Sequence, residues 1–225
     1  MITAKHVVKT DNGWIPEILV RLNTRDGASN FISVPVVSEG NRKTVFAHRD
    51  LDADVVAIPF FPDPDKYDFK CIPDSMLTTQ QDLINLKIRE GSEVFFVGMF
   101  ASYTGYDRIY PITRFGHVAL LTDEKIEWAG RFSNLYLIES FCFGGNSGSP
   151  AFFYLGQDRE PGMLTLGSTE IRVAGIVTGY FNSSTYRPIV EATNFSISEA
   201  NTGIMAITPA YKIRELLLGD ELTEL

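Results

Sequence analysis

The 225-residue sequence predicts an all-β fold made of two antiparallel barrels and a short C-terminal helix. Two observations lead to this prediction. Short runs rich in Val, Ile and Phe recur along the chain, and clusters of Gly, Asn, Asp and Pro separate them, as is typical of strands and turns. The apolar residues Ile213, Leu216, Leu217 and Leu218 have helical spacing near the end of the chain.

The first half contains several expected strands. Residues 18–22 alternate and precede a turn at 23–27, residues 31–37 form a second strand, and a third begins at 45–46. The continuous apolar run 55–60 is typical of a strand covered on both faces. Pro62 and Pro64 preclude further pairing after it.

The polar, irregular stretch 63–93, with a helical turn expected at 80–86, indicates a connection between two halves. We therefore expect one half at residues 1–75 and the other at 76–225. Loops are expected at 157–168 and 181–202. Thr208 and Pro209 have the residue types of an N-cap and first helical position, and the helix should end near Gly219. The expected strands of the second half are 93–98, 108–112, 115–121, 135–143, 151–155, 171–180 and 203–207.

Composition excludes several classes of protein. The net charge is −8 and no basic cluster occurs, so nucleic-acid binding has no electrostatic support. No apolar run approaches the ~20 residues that span a bilayer, and no signal peptide is visible. Compartment and oligomeric state stay open. Cys71 and Cys142 have no metal-ligand spacing, and two buried thiols are favoured over a bridge.

The stretch 141–150, Phe-Cys-Phe-Gly-Gly-Asn-Ser-Gly-Ser-Pro, places Ser147 between glycines at the end of an apolar run. Glycines allow backbone angles that other residues resist. A tight turn of this kind can expose a serine oxygen and direct backbone N–H groups at the space beside it. Acyl transfer requires both, although a simple glycine-rich hairpin turn would have the same residues.

A serine nucleophile needs a histidine base and an orienting carboxylate. The three histidines, His6, His48 and His117, all precede Ser147. An α/β-hydrolase places its histidine after the serine, within a Gly-x-Ser-x-Gly turn, so that fold is disfavoured. The strand-rich pattern argues against the subtilisin order. The order along the chain that remains is histidine first, then aspartate, then serine.

At these residues the chain resembles the chymotrypsin-like serine proteases, in particular their disulfide-poor bacterial branch. Residues 3–8, Thr-Ala-Lys-His-Val-Val, resemble the family's Thr-Ala-x-His motif, and residues 54–58, Asp-Val-Val-Ala-Ile, its Asp-Ile-Ala-Leu motif. Residues 145–150, Gly-Asn-Ser-Gly-Ser-Pro, resemble Gly-Asp/Asn-Ser-Gly-Gly-Pro, with Ser149 in place of a glycine. The separations between motifs also fit, and the resemblance spans nearly the whole chain. It implies a trypsin-like peptidase domain of two six-stranded barrels.

The resemblance also implies roles. Ser147 is the expected nucleophile, His6 the general base and then acid, and Asp54 the residue that orients the imidazole. The backbone N–H groups of Gly145 and Ser147 are the expected oxyanion hole. No cofactor or metal is expected, and the expected partner is a peptide or protein substrate.

Several residues compete for these roles. Asp50 and Asp52 are alternatives to Asp54, which is favoured because it adjoins the buried run. His48 and His117 are interpreted as surface or structural histidines. Cys142 is expected to pack near the substrate pocket and not to act as a nucleophile.

By the same resemblance, the substrate pocket involves Phe141, Thr178, Gly179 and Tyr180. Phe141 stands where the trypsin branch has the aspartate at the base of its pocket. An apolar or small side chain is therefore expected at the cleaved position.

His6 lies close to the first residue, whereas strands precede the histidine in the resembled fold. The sequence therefore predicts an incomplete first barrel and an N-terminally truncated chain. Two hypotheses follow: an active serine endopeptidase, and a catalytically silent protease-like domain that binds partners through its cleft.

Overall fold

The computed structural model describes residues 1–37, 44–157, 169–183 and 200–219. This part of the chain is mostly β, with one closed six-stranded barrel and a short C-terminal helix. Most of the two expected loops, at 158–168 and 184–199, lies outside the described residues.

Short strands surround a single helical turn in the N-terminal region, residues 1–60. In one sheet β7 lies between β1 and β6, while β2 pairs with β3 and β4 with β5 in separate two-stranded sheets. The described residues of this region therefore do not close into a barrel, and a second barrel is not shown. The elements are β1 (Ile2–Thr3), α1 (Lys5–Val8), β2 (Lys9–Thr10), β3 (Gly13–Trp14), β4 (Glu17–Asn23), β5 (Ser29–Pro35), β6 (Phe46–Ala47) and β7 (Val56–Ala57).

The buried run 55–60 forms a shorter strand than the sequence predicts. β7 contains only Val56 and Ala57. Ile58 still donates its N–H to the carbonyl of Met1 at 2.9 Å, but Pro59 has no N–H to continue the pairing.

A capped helix lies in the connection between the two regions. A 3₁₀ turn (Asp74–Met76) precedes α2 (Gln80–Asn85), where the sequence predicts a helical turn. The N–H of Asp82 donates to Thr79 Oγ1 at 3.1 Å, and the N–H of Thr79 donates to Asp82 Oδ2 at 2.9 Å. This reciprocal pair is a capping box, and it fixes where α2 begins.

The barrel lies in the C-terminal region. Six strands close it in the order β12-β15-β14-β13-β8-β9, with β9 pairing back to β12. A hairpin of β10 and β11 lies between β9 and β12 in the chain and pairs only with itself. The elements are β8 (Glu93–Gly98), β9 (Ile112–Leu120), β10 (Ile126–Trp128), β11 (Arg131–Ser133), β12 (Tyr136–Glu139), β13 (Pro150–Leu155), β14 (Glu170–Ser183), β15 (Ala200–Pro209) and α3 (Ala210–Leu217).

Several expected boundaries in this region are wrong. β12 ends at Glu139 and not at residue 143, and β14 and β15 extend into both ends of the expected loop 181–202. The predicted strand 108–112 is loop up to Ile112, because Ile109 donates its N–H to the side chain of Asn23 at 2.7 Å. The N-cap of α3 is Pro209 and not Thr208. Thr208 remains in β15, and its hydroxyl group bonds that of Thr178 at 2.7 Å.

Three apolar cores hold the molecule together. One fills the barrel with fully buried side chains such as Phe96 and Phe153. A second lies under α1, β5 and β7, around Val8 and Ile58. The third is shared, because α3 residues such as Ile213 pack against residues of the N-terminal region. The helix therefore joins the two regions beside the segment that carries Asp54.

Candidate active site

His6 lies on α1, directly after β1. The sequence predicts the end of a strand here, since Val7 and Val8 are β-branched. The structure has a helical turn instead, in which Val7 donates its N–H to the carbonyl of Ala4 at 3.1 Å. Val8 is fully buried, whereas the side chain of His6 is 36% exposed and faces the cleft.

Asp54 holds His6 at two points. The Nδ1 of His6 lies 2.7 Å from Asp54 Oδ2, and the backbone N–H of His6 donates to Oδ1 at 3.0 Å. A carboxylate only accepts hydrogen bonds, so the proton of the neutral imidazole lies on Nδ1. This leaves Nε2 as an acceptor that faces the opposite side of the ring.

Ser147 lies on that side. Its Oγ is 2.9 Å from His6 Nε2 and 3.3 Å from the carbonyl oxygen of Thr178. Thr178 is buried and held by its hydroxyl bond to Thr208. The structure therefore brings together the three residues that the sequence proposes as nucleophile, base and acid.

Two glycines give the turn around Ser147 its shape. Gly145 has φ +92° and Gly148 has φ +84°, which favour glycine at both positions. A Cβ on Gly148 would lie 2.5 Å from Thr3 Oγ1, so the turn packs closely against β1. Gly148 donates its N–H to the carbonyl of Val177 at 2.8 Å.

The candidate oxyanion donors are free within the described structure. No acceptor among the described residues is bonded to the backbone N–H of Gly145 or Ser147. Asn146, between them, is buried, and its side-chain amide donates to the carbonyl of Phe143 at 3.0 Å. This bond holds the turn while the two flanking N–H groups stay available.

The other two aspartates lie elsewhere. Asp52 forms an ion pair with Lys125 at 2.8 Å, and Asp50 pairs with Lys212 at 3.3 Å. Neither contacts His6 in the described hydrogen bonds, so the geometry favours Asp54 as the acid.

Lys5 is a residue of the site that the sequence did not single out. Its Nζ donates to the carbonyl oxygens of Leu51 at 2.5 Å and Ala53 at 2.9 Å, directly before Asp54. Only 6% of Lys5 is exposed, and burial lowers the pKa of its ammonium group. The available signal was a lysine directly before His6 in a segment that also contains Ile2, Ala4 and Val7. Lys5 ties the segment of the base to the segment of the acid.

Trp128 is a second such residue. Its ring lies 5.9 Å from the His6 ring, between centroids, and its Nε1–H donates to the carbonyl of Tyr180 at 3.3 Å. A Cβ on Gly179 would lie 2.3 Å from the indole, so this glycine allows the ring to rest on β14. The sequence predicts no strand between residues 121 and 135, so it gives no sign that this hairpin lies beside His6.

The predicted pocket residues differ in exposure. Phe141 is 63% exposed, Thr178 and Gly179 are buried, and Tyr180 packs partly against the barrel core. Together they extend from the glycine turn to the open end of β14.

The two cysteines are free, and they differ. Cys142 is buried, and burial raises the pKa of its thiol to about 11, which disfavours the thiolate needed for nucleophilic attack. Cys71 is exposed, so the expectation of two buried thiols is wrong.

The remaining histidines lie away from Ser147. His48 is buried and bonds Glu215 at 3.0 Å, beside a cavity of about 710 Å³ under α3. His117 is exposed on β9.

Among the described residues no group of three or more His, Cys, Asp or Glu side chains could hold a metal ion. The described helices are all too short or too polar to cross a membrane.

Comparison with known proteins gives a likeness of fold. No family model matches the sequence, and no curated protein matches it. Among solved structures, the apo form of the MamO protease domain from Magnetospirillum magneticum is similar, with a TM-score of 0.50 and 15% identity, over 95% of this chain and 79% of that chain. At this identity the likeness supports the fold alone: the chain has a protease-like fold with a closed β-barrel.

Proposed function

We propose that this protein is a serine endopeptidase that hydrolyses peptide bonds through an acyl-enzyme at Ser147. The proposal rests above all on one observation. His6 bonds Asp54 through one ring nitrogen and Ser147 through the other, at 2.7 and 2.9 Å. A surface histidine with a structural role needs only one such partner.

In this mechanism Nε2 of His6 accepts the proton of Ser147 Oγ as the oxygen attacks the carbonyl carbon. Asp54 holds Nδ1–H and stabilises the imidazolium that forms. The new oxyanion accepts hydrogen bonds from the N–H groups of Gly145 and Ser147, each worth ~3 kcal/mol in the transition state. His6 then returns the proton to the leaving amine, and water hydrolyses the ester by the same route.

Specificity for an apolar or small side chain remains part of the proposal. Phe141 offers no counter-charge to a basic side chain, and the indole of Trp128, bonded to the carbonyl of Tyr180, lies beside the His6 ring. A strong preference for Lys or Arg in a library of peptide substrates would overturn this part.

The test is covalent labelling with a fluorophosphonate, read by mass spectrometry of the labelled peptide. We expect a single adduct on Ser147, loss of labelling in Ser147→Ala and His6→Ala, and unchanged labelling in Ser149→Ala. Ser149 is the matched control because it belongs to the same glycine turn.

Unlabelled protein from the same preparation should also cleave internal bonds of a peptide library, and labelling of Ser147 should abolish that cleavage. Absence of an adduct on Ser147 in the folded protein would defeat the proposal and favour the silent binding domain. An adduct without peptide cleavage would contradict the endopeptidase assignment and leave a serine hydrolase of another kind.

A further inference from the structure

Among the residues that the structure describes, none pairs with one edge of β14 next to Ser147. β13 pairs with β14 only as far as Ile176. Beyond it, Val177 still bonds the glycine turn through Gly148 and Ser149. From Thr178 onward, the described pairing of β14 is with β15 alone. An exposed strand edge is a site where an extended peptide adds as a further strand.

Two carbonyl oxygens mark the edge that faces the cleft. That of Thr178 lies 3.3 Å from Ser147 Oγ, and that of Tyr180 accepts from the indole of Trp128. Since the Trp128 ring also faces the His6 ring, both carbonyls lie on the same side of β14 as the candidate nucleophile. A peptide strand that reaches Ser147 along β14 would use both as acceptors.

Trp128 therefore occupies one of the positions that such a peptide needs. Its N–H fills the acceptor at Tyr180, and its ring covers the backbone of Gly179. The N···O distance of 3.3 Å is longer than the usual 2.9–3.0 Å, which makes this bond weaker than the strand pairing that would replace it.

The hairpin holds the indole at the end of a tight turn. Trp128 pairs with Arg131 around Ala129 and Gly130, which have φ +51° and +73°. Positive φ at both central residues is the pattern of a type I′ turn, which fits the twist of a hairpin. Alanine is strained at such an angle, whereas glycine is not. The turn thus fixes Trp128 at the tip of an element that pairs only with itself.

We propose that Trp128 is a gate that selects substrates by length on the acyl side of the cleaved bond. This inference rests on the proposed function. A substrate whose acyl part ends at the cleaved residue reaches Ser147 without contacting Tyr180. A longer acyl part must pair with β14 and displace the indole from the Tyr180 carbonyl.

The test compares Trp128→Ala with wild type on three probes: a fluorophosphonate, an acetylated single-residue amide and a tetrapeptidyl amide with the same residue at the cleaved position. We expect the ratio of kcat/KM for the tetrapeptide to kcat/KM for the single-residue amide to rise about tenfold, the scale of one neutral hydrogen bond, through a lower KM for the tetrapeptide. The indole also faces the His6 ring, and loss of that contact should change labelling and the hydrolysis of both amides by the same factor, which cancels in the ratio. Trp128→Phe is the control, because it keeps a ring over Gly179 but has no N–H, and its gain should be intermediate.

An unchanged or lower ratio of tetrapeptide to single-residue kcat/KM in Trp128→Ala would overturn the gate. A second measurement needs no turnover. In a Trp14→Phe, Ser147→Ala background, Trp128 is the remaining tryptophan, and the tetrapeptide, not the single-residue amide, should change its fluorescence. If the fluorophosphonate labels neither the wild type nor the Trp128 variants, the proposed function fails. If saturating tetrapeptide leaves the fluorescence of Trp128 unchanged, the gate is refuted, whatever the result of the labelling.

Discussion

Ser147 lies on a closed barrel, whereas His6 and Asp54 lie beside strands of two residues. Each barrel strand pairs on two sides, so the backbone ladder itself fixes the glycine turn. In the described N-terminal region, β1 pairs only with β7. The positions of the proposed base and acid therefore depend on individual contacts: the carboxylate of Asp54, the ammonium of Lys5 and the core shared with α3. The difference indicates that strand pairing holds the proposed nucleophile in place, whereas side-chain contacts hold His6 and Asp54.

The largest effect should come from breaking the contact between His6 and Asp54 in the N-terminal region. Asp54→Asn should slow labelling of Ser147 by roughly 10³–10⁴-fold, because the amide no longer holds the reactive tautomer of His6. The melting temperature should change little, since the two side chains have the same shape. Asp52→Asn is the matched control, and its effect should stay below twofold. Equal losses in the two variants would remove Asp54 from the site.

Substitutions in the barrel core and in the N-terminal core should lower the free energy of unfolding in ways that distinguish the two regions. Phe153→Ala leaves a cavity inside the barrel and should cost about 3–5 kcal/mol of unfolding free energy; Ile58→Ala in the N-terminal core should cost about 2–4. The two should also differ in amide hydrogen exchange. Ile58→Ala should accelerate exchange mainly in residues 1–10 and 54–58, and Phe153→Ala throughout β8 and β13–β15. Uniform acceleration by Ile58→Ala would show that the regions open only together.

A smaller effect is expected when the link between base and acid loses its charge. Lys5→Met keeps the buried stem but leaves two carbonyl groups without a donor, at a cost of about 1–3 kcal/mol. Labelling of Ser147 should slow several-fold even where the protein is fully folded. Lys9→Met, on an exposed lysine of the same segment, should change stability by less than about 0.5 kcal/mol. Identical labelling rates in both variants would argue against a positioning role for Lys5.

The smallest expected effect is a change in stability caused by a substitution in the connection between the two regions. Hydrogen bonds from the backbone and hydroxyl of Thr79 hold the pKa of Asp82 below its usual value. A lowered carboxyl pKa stabilises the fold above the unfolded-state value, about pH 4, and this stabilisation is lost as pH falls through the folded-state pKa. Asp82→Asn should cost about 0.3–1 kcal/mol at pH 7, and the difference should shrink towards pH 3. Thermal melts at several pH values check this, with exposed Asp65→Asn as control; a difference constant with pH would contradict it.

The barrel strands and the triad contacts could be predicted because their signals are local. The strand 93–98 has the bounds that its run of Val and Phe predicts, and the motifs around His6, Asp54 and Ser147 carried residue types that chemistry restricts. The order of these residues along the chain, together with the resemblance of the three motifs to a known protease family, led to the expected contact across 141 positions.

The remaining features depend on tertiary contacts. α1 is helical although its valines favour a strand, because Val8 is buried in the N-terminal core while His6 faces the cleft. Thr208 has the side chain of an N-cap, yet a buried hydroxyl partner holds it in β15. Trp128 over Gly179 joins a hairpin to a distant strand, and no pattern within either segment encodes that pairing.

The 141 positions between His6 and Ser147 also separate them in time. A chain made at about 5–20 residues per second has its proposed base roughly 7–30 s, and its proposed acid roughly 5–20 s, before its proposed nucleophile. The barrel cannot close until β15 emerges, because that strand pairs with both β12 and β14. Under the proposed activity, a growing chain would therefore be unable to cleave a neighbouring nascent polypeptide, and hydrolytic competence would arise only after β15 has left the ribosome.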